Sequence, residues 1–326
     1  MSRRDYDHHT DFKFHPRITQ IGCYWGGGGH TELYLVEGDR LAIIDTGVSE
    51  TPEEYIRPAL AAIGRDLGEI EVIINTHGHH DHAGGNRAVH DAAHCEIWIH
   101  ENDAALTQDP DFAFDTFFVR DMKLLEQSAR IDEARLKHRQ TAGRAAPLTR
   151  RFRDGDQLDL GAGVVFRVVH TPGHTLGCCV FVWEREGIAI SGDSALGRGS
   201  RVGGMPLIFY PDAYRESLAT IRRIQPRVLC LGHHYRTLRQ TNESIRYGDA
   251  IAAFLTESAE IQDLIDAAMA AAVAELGRDV PFARVARRAL RRLADDMPLV
   301  DEASGWPNGA ISALSAPWSQ ATGQAV

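Results

Sequence analysis

The chain of 326 residues contains 44% hydrophobic and 25% charged residues, a composition typical of folded globular proteins and unlike that of disordered or fibrous chains. Its formal net charge of −10 argues against a surface built mainly to bind phosphate backbones or anionic membranes. No apolar run reaches the length of a membrane-spanning helix, so we expect no membrane association.

The N-terminal segment and the cysteines indicate a cellular compartment. Residues 1–16 are polar and are expected to form a loose tail. No apolar stretch follows their basic residues, so we expect no secretory signal. The cysteines are odd in number and lack paired spacing: Cys23, Cys95, Cys178, Cys179 and Cys230. Buried, reduced thiols in a cytoplasmic protein are the simplest interpretation.

Residues 17–241 alternate between strand-like and helix-like patterns and are expected to form one domain. Apolar runs at 18–25, 31–36 and 41–44 predict the first strands. Thr51 followed by Pro52 predicts the start of a helix. The alternation favours an α/β (α+β) protein with two mixed sheets packed together and helices on the outer faces. Periodicity alone leaves that architecture open.

Two further regions are predicted to be helical. Residues 101–150 combine an aromatic patch with a charged, helix-prone stretch, which predicts a helical insertion over the sheet edge. The patch consists of Phe112, Phe114, Phe117 and Phe118. It is expected either to contact an apolar part of a substrate or to anchor the insertion. Residues 242–326 are predicted to form a helical C-terminal region, Ala-rich and Arg-rich to about residue 296 and irregular beyond it.

Seven residues able to ligate a metal lie in four short loops, each of which follows an apolar, strand-like run. They are His77, His79, Asp81 and His82 in the first loop, then His174, Asp193 and His233 in the other three. Strand ends that share one edge of a sheet converge, so these side chains can share a pocket. A catalytic zinc takes about three protein ligands, so seven suit two divalent ions with one bridging carboxylate. The ligand types suit Zn²⁺, and Mn²⁺ or Fe²⁺ are also compatible.

The order of these motifs resembles the metallo-β-lactamase superfamily. The run His77-Gly78-His79-His80-Asp81-His82 is followed in the family's order by the other three loops, and Asp45 matches an early aspartate motif. The resemblance covers residues 18 to about 240 and implies an αββα sandwich with metals at one edge. It implies that His77, His79 and His174 hold the first metal. It further implies that Asp81, His82 and His233 hold the second, with Asp193 bridging and Asp45 orienting the groups beside the metals.

The resemblance implies a metal-dependent hydrolase acting on a small-molecule ester, thioester or lactone through a metal-bridging hydroxide. Asp193 or Asp81 is expected to carry the proton to the leaving group. Tyr210 and Tyr235 are candidates for the substrate pocket because each lies near a motif, although packing in the core explains them equally well. His234, the third candidate, is expected to point away from its metal-binding neighbour. The segment Leu231-Gly232-His233-His234-Tyr235 is similar to the last metal motif of glyoxalase II-like thioesterases.

Three other functions stay open. A ribonuclease or phosphodiesterase of the same superfamily would draw support only from the Arg-rich segment 282–293, which a solvated amphipathic helix also explains; we expect no nucleic-acid partner. A mononuclear iron persulfide dioxygenase resembles the chain around Thr171-Pro172-Gly173-His174-Thr175, and a β-lactamase is the third alternative. The Arg-rich segment is expected either to close the rim of the active site or to form a homodimer contact.

Overall fold

Two mixed β-sheets form the centre of the computed structural model, which describes residues 11–125, 127–238, 242–301 and 305–324. The strands of the first sheet are β1 (Phe12–His15), β2 (Ile18–Trp25), β3 (Gly29–Glu37), β4 (Leu41–Ile44), β5 (Val72–Ile74), β6 (Glu96–His100) and β7 (Arg150–Phe152). Those of the second are β8 (Gln157–Asp159), β9 (Val165–His170), β10 (Cys179–Trp183), β11 (Ile188–Gly192), β12 (Val228–Leu231) and β13 (Ile245–Tyr247).

Helices lie between and after these strands. Their bounds are α1 (Arg57–Ala62), α2 (His80–Ala83), α3 (Asn86–Ala93), α4 (Ala104–Gln108), α5 (Pro110–Phe114), α6 (Arg120–Leu124), α7 (Ile131–Ala142), α8 (Pro211–Ile224), α9 (Asp249–Leu276), α10 (Phe282–Leu293) and α11 (Ala310–Thr322). A π-helical turn, Pro52–Ile56, leads directly into α1.

The strand order places the first sheet's parallel strands beside one another. In that sheet the strands run in chain order from β1 to β7, antiparallel as far as β4 and parallel from β4 onward. In the second sheet, also in chain order, only β11 and β12 are parallel. Parallel neighbours need crossover connections, and α3 and α8 supply two of them. Candidate ligands lie in the loops that follow β5 and β12, at the carboxyl ends of these parallel strands.

A continuous apolar core fills the space between the sheets. Ile44 and Ile74 from the first sheet and Phe166 and Phe181 from the second are all fully buried in it. Each buried side chain of this size contributes about 1.5–3 kcal/mol relative to an exposed one, so this layer supplies much of the stability. The two sheets are thereby held as one unit.

The outer faces of both sheets are covered by helices. Leu60 of α1 and Val89 of α3 pack on the first sheet, whereas Leu218 of α8 and Phe254 of α9 pack on the second. The layers therefore follow the order helix, sheet, sheet, helix. The predicted αββα sandwich is confirmed, including the helical insertion and the helical C-terminal extension.

The insertion and the C-terminal helices contact each other. The helices α4 to α7 lie between β6 and β7, and α9, α10 and α11 share a separate apolar core. The Arg120 guanidinium donates a 3.0 Å hydrogen bond to the Ser315 hydroxyl, and Ser312 donates one of 2.6 Å to Asp121. The C-terminal region therefore supports the insertion from outside.

Three sequence-based boundaries need correction. The tail prediction is wrong for Phe12–His15, which pairs with β2 as an edge strand, while residues 1–10 lie outside the described part. The region 242–326 includes β13, which completes the second sheet, so the helical part begins only at α9. The prediction of an irregular final segment is wrong for Ala310–Thr322, because α11 runs through Pro317. A proline inside a helix costs about 3 kcal/mol, and burial of neighbours such as Leu314 and Trp318 offsets this cost.

Two other expectations can be compared with the fold. All five cysteines are buried and free, which agrees with the prediction of buried thiols. Among the residues that the structure describes, no helix combines the length and apolar character needed to cross a membrane.

Candidate metal centre

Four loops at one edge of the sandwich bring together all seven side chains that the sequence analysis selected. The first sheet supplies the loop after β5, and the second sheet supplies the loops after β9, β11 and β12. Three groups have their ligand atoms within 4.8 Å of one another: His77, His79 and His174; Asp81, His82 and His233; and His77, His82 and Asp193. The first two groups are the same trios that the family resemblance implies.

The carboxylate of Asp193 lies between these two trios. Its Oδ1 is 3.4 Å from Nε2 of His82, and its Oδ2 is 3.3 Å from Nε2 of His174. The same Oδ2 is also 3.3 Å from Nε2 of His233, which in turn lies 3.6 Å from Oδ2 of Asp81. One carboxylate thus faces imidazoles from both trios, as a bridging group would.

The outward nitrogens of two histidines are held by backbone carbonyls. Nδ1 of His174 is 2.6 Å from the Leu207 carbonyl oxygen, and Nδ1 of His233 contacts the carbonyl oxygen of His30. A ring that donates its Nδ1 proton keeps Nε2 free as a lone-pair donor, which is the usual arrangement of metal-binding imidazoles. Both Nε2 atoms face Asp193.

Asp45 lies behind His82 rather than beside Asp193. Its Oδ2 is 2.8 Å from Nδ1 of His82, and it accepts hydrogen bonds of 2.8 and 2.7 Å from the amide and hydroxyl of Thr76. Asp45 has a positive φ of 63°, a conformation that is uncommon for residues other than glycine. This backbone turn after β4 aims the carboxylate at the imidazole, so Asp45 orients His82.

Several atoms at the centre of this cluster have no hydrogen-bond partner in the part of the chain that the structure describes. They are Nε2 of His77, His79 and His174, and Oδ1 of Asp193, all of them buried. Buried polar atoms are nearly always paired, because an unpaired one costs about 1–3 kcal/mol. Divalent cations would satisfy these lone pairs together, so the residues present fit a metal centre.

The electrostatics of the cluster match a cation site. Burial lowers the pKa of His77 and of His79 well below the ordinary value, so both rings are neutral and able to ligate. Burial by itself would raise the pKa of Asp193, but His233 and His82 outweigh it and hold the pKa well below the usual range. In return, the Asp193 carboxylate raises the pKa of both imidazoles against the effect of burial. Positive charge is therefore favoured around Asp193.

The glycine at position 232 permits this crowding. A Cβ at Gly232 would lie 2.4 Å from Oδ1 of Asp193 and 2.8 Å from the ring of His82. Both distances are shorter than real Cβ contacts allow. Any larger residue would displace groups at the centre of the cluster.

Asp103, which the sequence analysis did not select, connects two of the loops. Its fully buried carboxylate accepts hydrogen bonds from the Gly78 amide at 2.8 Å, the Gly177 amide at 2.7 Å and the Thr175 hydroxyl at 2.6 Å. It follows β6 by three residues, so the strand-end rule that selected the other loops could have found it. Its position inside the predicted insertion concealed that relationship.

An aromatic wall, formed by Phe117 and Phe209, borders the cluster. The Phe117 ring lies 4.6 Å from that of His79 and 4.7 Å from that of Phe209, which is 6.2 Å from the ring of His174. Of the four phenylalanines in the predicted patch, only Phe117 has a ring contact with the candidate ligands. Phe112 is 48% exposed and belongs to the outer surface.

The three candidate pocket residues occupy different surroundings. Tyr235 is buried with its ring 5.3 Å from that of His233, and burial together with Asp193 raises its pKa well above the usual value. Tyr210 is partly buried and packs beside the aromatic wall. His234 contacts Glu32 at 2.7 Å and belongs to neither of the two ligand trios.

The family model described as the metallo-beta-lactamase superfamily matches residues 26–233, nearly two thirds of the chain and the whole span of the candidate ligands. The chain belongs to the metallo-β-lactamase superfamily. This is a superfamily of metal-dependent hydrolases, so hydrolase chemistry and binding of divalent metal are characteristic of the group.

Curated relatives match part of the chain in sequence. The beta-lactamase-like protein 2 homolog of Drosophila melanogaster is 31% identical over 206 residues, covering 62% of this chain and 58% of the relative. The hydroxyacylglutathione hydrolase of Rhodospirillum rubrum is 27% identical over 218 residues, covering 63% of this chain and 64% of the relative. The alignment with the Drosophila protein thus spans less than two thirds of that relative.

Solved structures show the same fold over nearly the whole chain. A metallo-beta-lactamase family protein from Thermus thermophilus superposes with a TM-score of 0.67 at 21% identity, covering 94% of this chain and 93% of the other. A beta-lactamase domain protein from Burkholderia ambifaria gives the same TM-score and identity, with coverage of 97% and 90%. At this level of identity the likeness concerns the fold.

Proposed function

We propose that the protein is a dinuclear metal hydrolase that cleaves a small carbonyl ester, thioester or lactone. The observation that carries the proposal is the Asp193 carboxylate, which faces His82, His174 and His233 within 3.4 Å and so lies between two ligand trios. A single ion would leave about half of the candidate ligands unused.

Each residue of the proposed site has a separate role. His77, His79 and His174 would hold one cation; Asp81, His82 and His233 would hold the other, with Asp193 shared. When bound, such a pair supplies Lewis acidity and makes a water molecule acidic enough to act as a nucleophile near neutral pH. Asp45 fixes the ring of His82, and Asp103 fixes the backbone of two ligand loops. Asp193 and Asp81 are the carboxylates close enough to the centre to hand a proton to the leaving group.

The carbonyl substrate class is supported by two independent features. Two hydroxyacylglutathione hydrolases, from Rhodospirillum rubrum and Nitrosococcus oceani, are 27% and 28% identical to the chain over 218 and 186 residues, and their name denotes thioester hydrolysis in those proteins. The aromatic wall beside His79 and His174 offers an apolar surface for the acyl group. The partly buried Tyr210 packs beside this wall, and its hydroxyl would serve a polar part of the substrate.

The features that would favour a ribonuclease or an iron oxygenase have a different explanation in this fold. On α10, Arg287 pairs with Asp301 at 3.0 Å, and Arg288 and Arg292 share Glu275 at 2.8 and 2.6 Å. These arginines therefore form ion pairs on a solvated helix face rather than an open patch for phosphates. A mononuclear iron oxygenase would need only two histidines and one carboxylate, such as the group His77, His82 and Asp193, and would leave the other four candidate ligands without a role.

Metal quantification coupled to a substrate panel tests the proposal. The purified protein, saturated with Zn²⁺ and then freed of excess metal, should hydrolyse acyl thioesters or lactones faster than β-lactams or bis-p-nitrophenyl phosphate. The chelated protein should lose this activity and regain it when Zn²⁺ is returned. Hydrolysis of the phosphodiester alone would contradict the proposal. A purified protein that holds one iron per chain and hydrolyses no member of the panel would also contradict it.

A further inference from the structure

A second group of possible ligands lies outside the centre described above. His30 and Glu32 on β3 and His234 in the loop after β12 have ligand atoms within 4.8 Å of one another. Oε1 of Glu32 is 3.1 Å from Nε2 of His30 and 2.7 Å from Nε2 of His234, and the two rings lie 4.3 Å apart. We propose that these three side chains form an additional divalent-cation site, independent of the seven candidate ligands and of the proposed reaction.

An unsatisfied buried atom supports a ligand here. Glu32 is only 2% exposed, yet Oε2 of its carboxylate has no hydrogen-bond partner among the described residues. An isolated carboxylate is expensive to bury, and such groups are normally paired or coordinate a metal. Imidazole protons can balance Glu32 through Oε1, but they leave Oε2 unpaired. A cation between the three side chains would neutralise the carboxylate directly.

The donor set and its spacing suit zinc. Two imidazoles and one glutamate form a common three-ligand set for Zn²⁺, with bonds of about 2.0–2.2 Å. A tetrahedral ion at those bond lengths separates neighbouring ligand atoms by about 3.3–3.6 Å. The observed separations of 3.1 and 2.7 Å from Glu32 need only small rotations to reach those values. The His234 side chain is 37% exposed, so an ion and a water ligand can enter from solvent.

The backbone separates this site from the centre and also connects the two. Nδ1 of His233 contacts the His30 carbonyl oxygen, while its Nε2 faces Asp193 on the opposite side of the ring. The Glu32 amide donates a 2.8 Å hydrogen bond to the Gly232 carbonyl. A cation held by His30, Glu32 and His234 would therefore fasten the first sheet to the loop that carries His233.

Zinc stoichiometry of matched variants tests this site. Wild-type protein, E32Q and H234N are dialysed to equilibrium against buffered free Zn²⁺ over a range of concentrations, and bound zinc is measured by mass spectrometry. We expect each variant to bind one zinc fewer per chain than the wild type. The variant H94N is the control, because His94 is exposed, belongs to neither ligand group and has a left-handed backbone (φ 52°) that suits asparagine. It should bind as much zinc as the wild type.

This test does not depend on the proposed hydrolase activity, because it uses the difference in bound zinc between wild type and variant rather than the total amount of bound zinc. If E32Q fails to fold, H234N decides, since its side chain lies partly in solvent. Anomalous diffraction at the zinc edge should show a peak enclosed by His30, Glu32 and His234 in the wild type. Equal zinc binding by H234N and the wild type at every concentration, or absence of that peak at saturation, would overturn the inference.

Discussion

The carboxylate of Asp103 accepts a 2.8 Å hydrogen bond from the backbone amide of Gly78, between the first two histidines of the metal motif. Its other oxygen accepts from Gly177, just after the loop that carries His174. One buried side chain therefore sets the distance between a loop of the first sheet and a loop of the second.

We expect Asp103→Ala to weaken metal binding by about 10–100-fold, because groups that support ligands typically contribute that much. Competition with a zinc chelator of known affinity measures the change, and kcat/KM on a thioester should fall in parallel. Asp115→Ala is the matched control, since Asp115 lies in the same insertion and pairs with Arg135 at the surface. Unchanged zinc affinity in Asp103→Ala would show that it has no positioning role.

Removing a proposed ligand should abolish hydrolysis without unfolding the protein. We expect His77→Ala and Asp193→Asn to lower kcat by on the order of 10³-fold or more, because each removes a group that would stabilise charge during the reaction. The sandwich core lies apart from these side chains, so thermal unfolding should stay cooperative. The control His94→Asn should retain full activity. Wild-type turnover by carefully demetallated His77→Ala would refute the ligand assignment.

Metal removal should destabilise the protein. A ligand present at 1,000 times its Kd stabilises the folded state by about 4 kcal/mol, which for a domain of this size is on the order of 8 °C in Tm. Chelated protein should therefore unfold at a lower temperature than the zinc-loaded protein, and added Zn²⁺ should restore the difference. The shift should be smaller in Asp193→Asn. A Tm that does not respond to chelator would argue against buried metal.

Truncation of the aromatic wall should change substrate preference more than chemistry. We expect Phe117→Leu to reduce kcat/KM for long-chain acyl thioesters by about 10-fold relative to acetyl thioesters, because the lost apolar contact is worth 1–3 kcal/mol. Phe112→Leu, at a phenylalanine that is 48% exposed, is the control and should leave the ratio unchanged. Equal loss for both chain lengths would assign Phe117 a purely structural role.

Acid should weaken the fold through His100. Burial, with a smaller effect from the stacked ring of His170 at 4.3 Å, lowers the pKa of His100 to about 4 against the opposing influence of Glu101 and Asp154. Its Nδ1 also accepts a hydrogen bond from the Asn102 amide, which protonation would remove. Between pH 6.5 and 4 the unfolded chain binds a proton that the folded chain excludes. Stability is therefore fully present above that window and is lost as pH falls through it.

Urea unfolding at pH 7 and pH 5 measures this effect. The free energy of unfolding should fall by about 1–2 kcal/mol more in the wild type than in His100→Asn. Groups that do not contact position 100 contribute equally in both proteins, so the difference reports on His100 and its immediate surroundings. Identical pH dependence in the two proteins would contradict the assignment.

The gathering of the seven candidate ligands could be predicted from short-range patterns, whereas the αββα sandwich was implied by the family resemblance, because periodicity alone leaves the architecture open. Each ligand comes directly after an apolar strand, and strand ends at one edge must converge. Asp103 obeys the same rule, but its neighbours resemble an insertion. Glu32 could not be predicted, because β3 is buried over most of its length and the strand's alternation does not reveal which polar residue faces His30 and His234.

The ends of the chain were mispredicted for a different reason. Pro317 and the glycines before it favour an irregular segment on intrinsic propensity, yet Leu314 and Trp318 are buried against the other C-terminal helices. Likewise, β1 is a four-residue strand at the edge of the first sheet, and its pairing with β2 holds it there. In both places long-range packing overrides the local preference, and no single-sequence pattern carries that information.

The division of the proposed ligands between two sheets also constrains how the protein acquires its metal. A ribosome delivers His77 and His79 early, when neither Asp193 nor His233 yet exists. A nascent chain would offer only part of the proposed ligand set to a cation until β12 has left the exit tunnel and joined its sheet. Loading of the proposed shared position would therefore be a late event in biogenesis, and it would mark a chain whose two halves have already assembled.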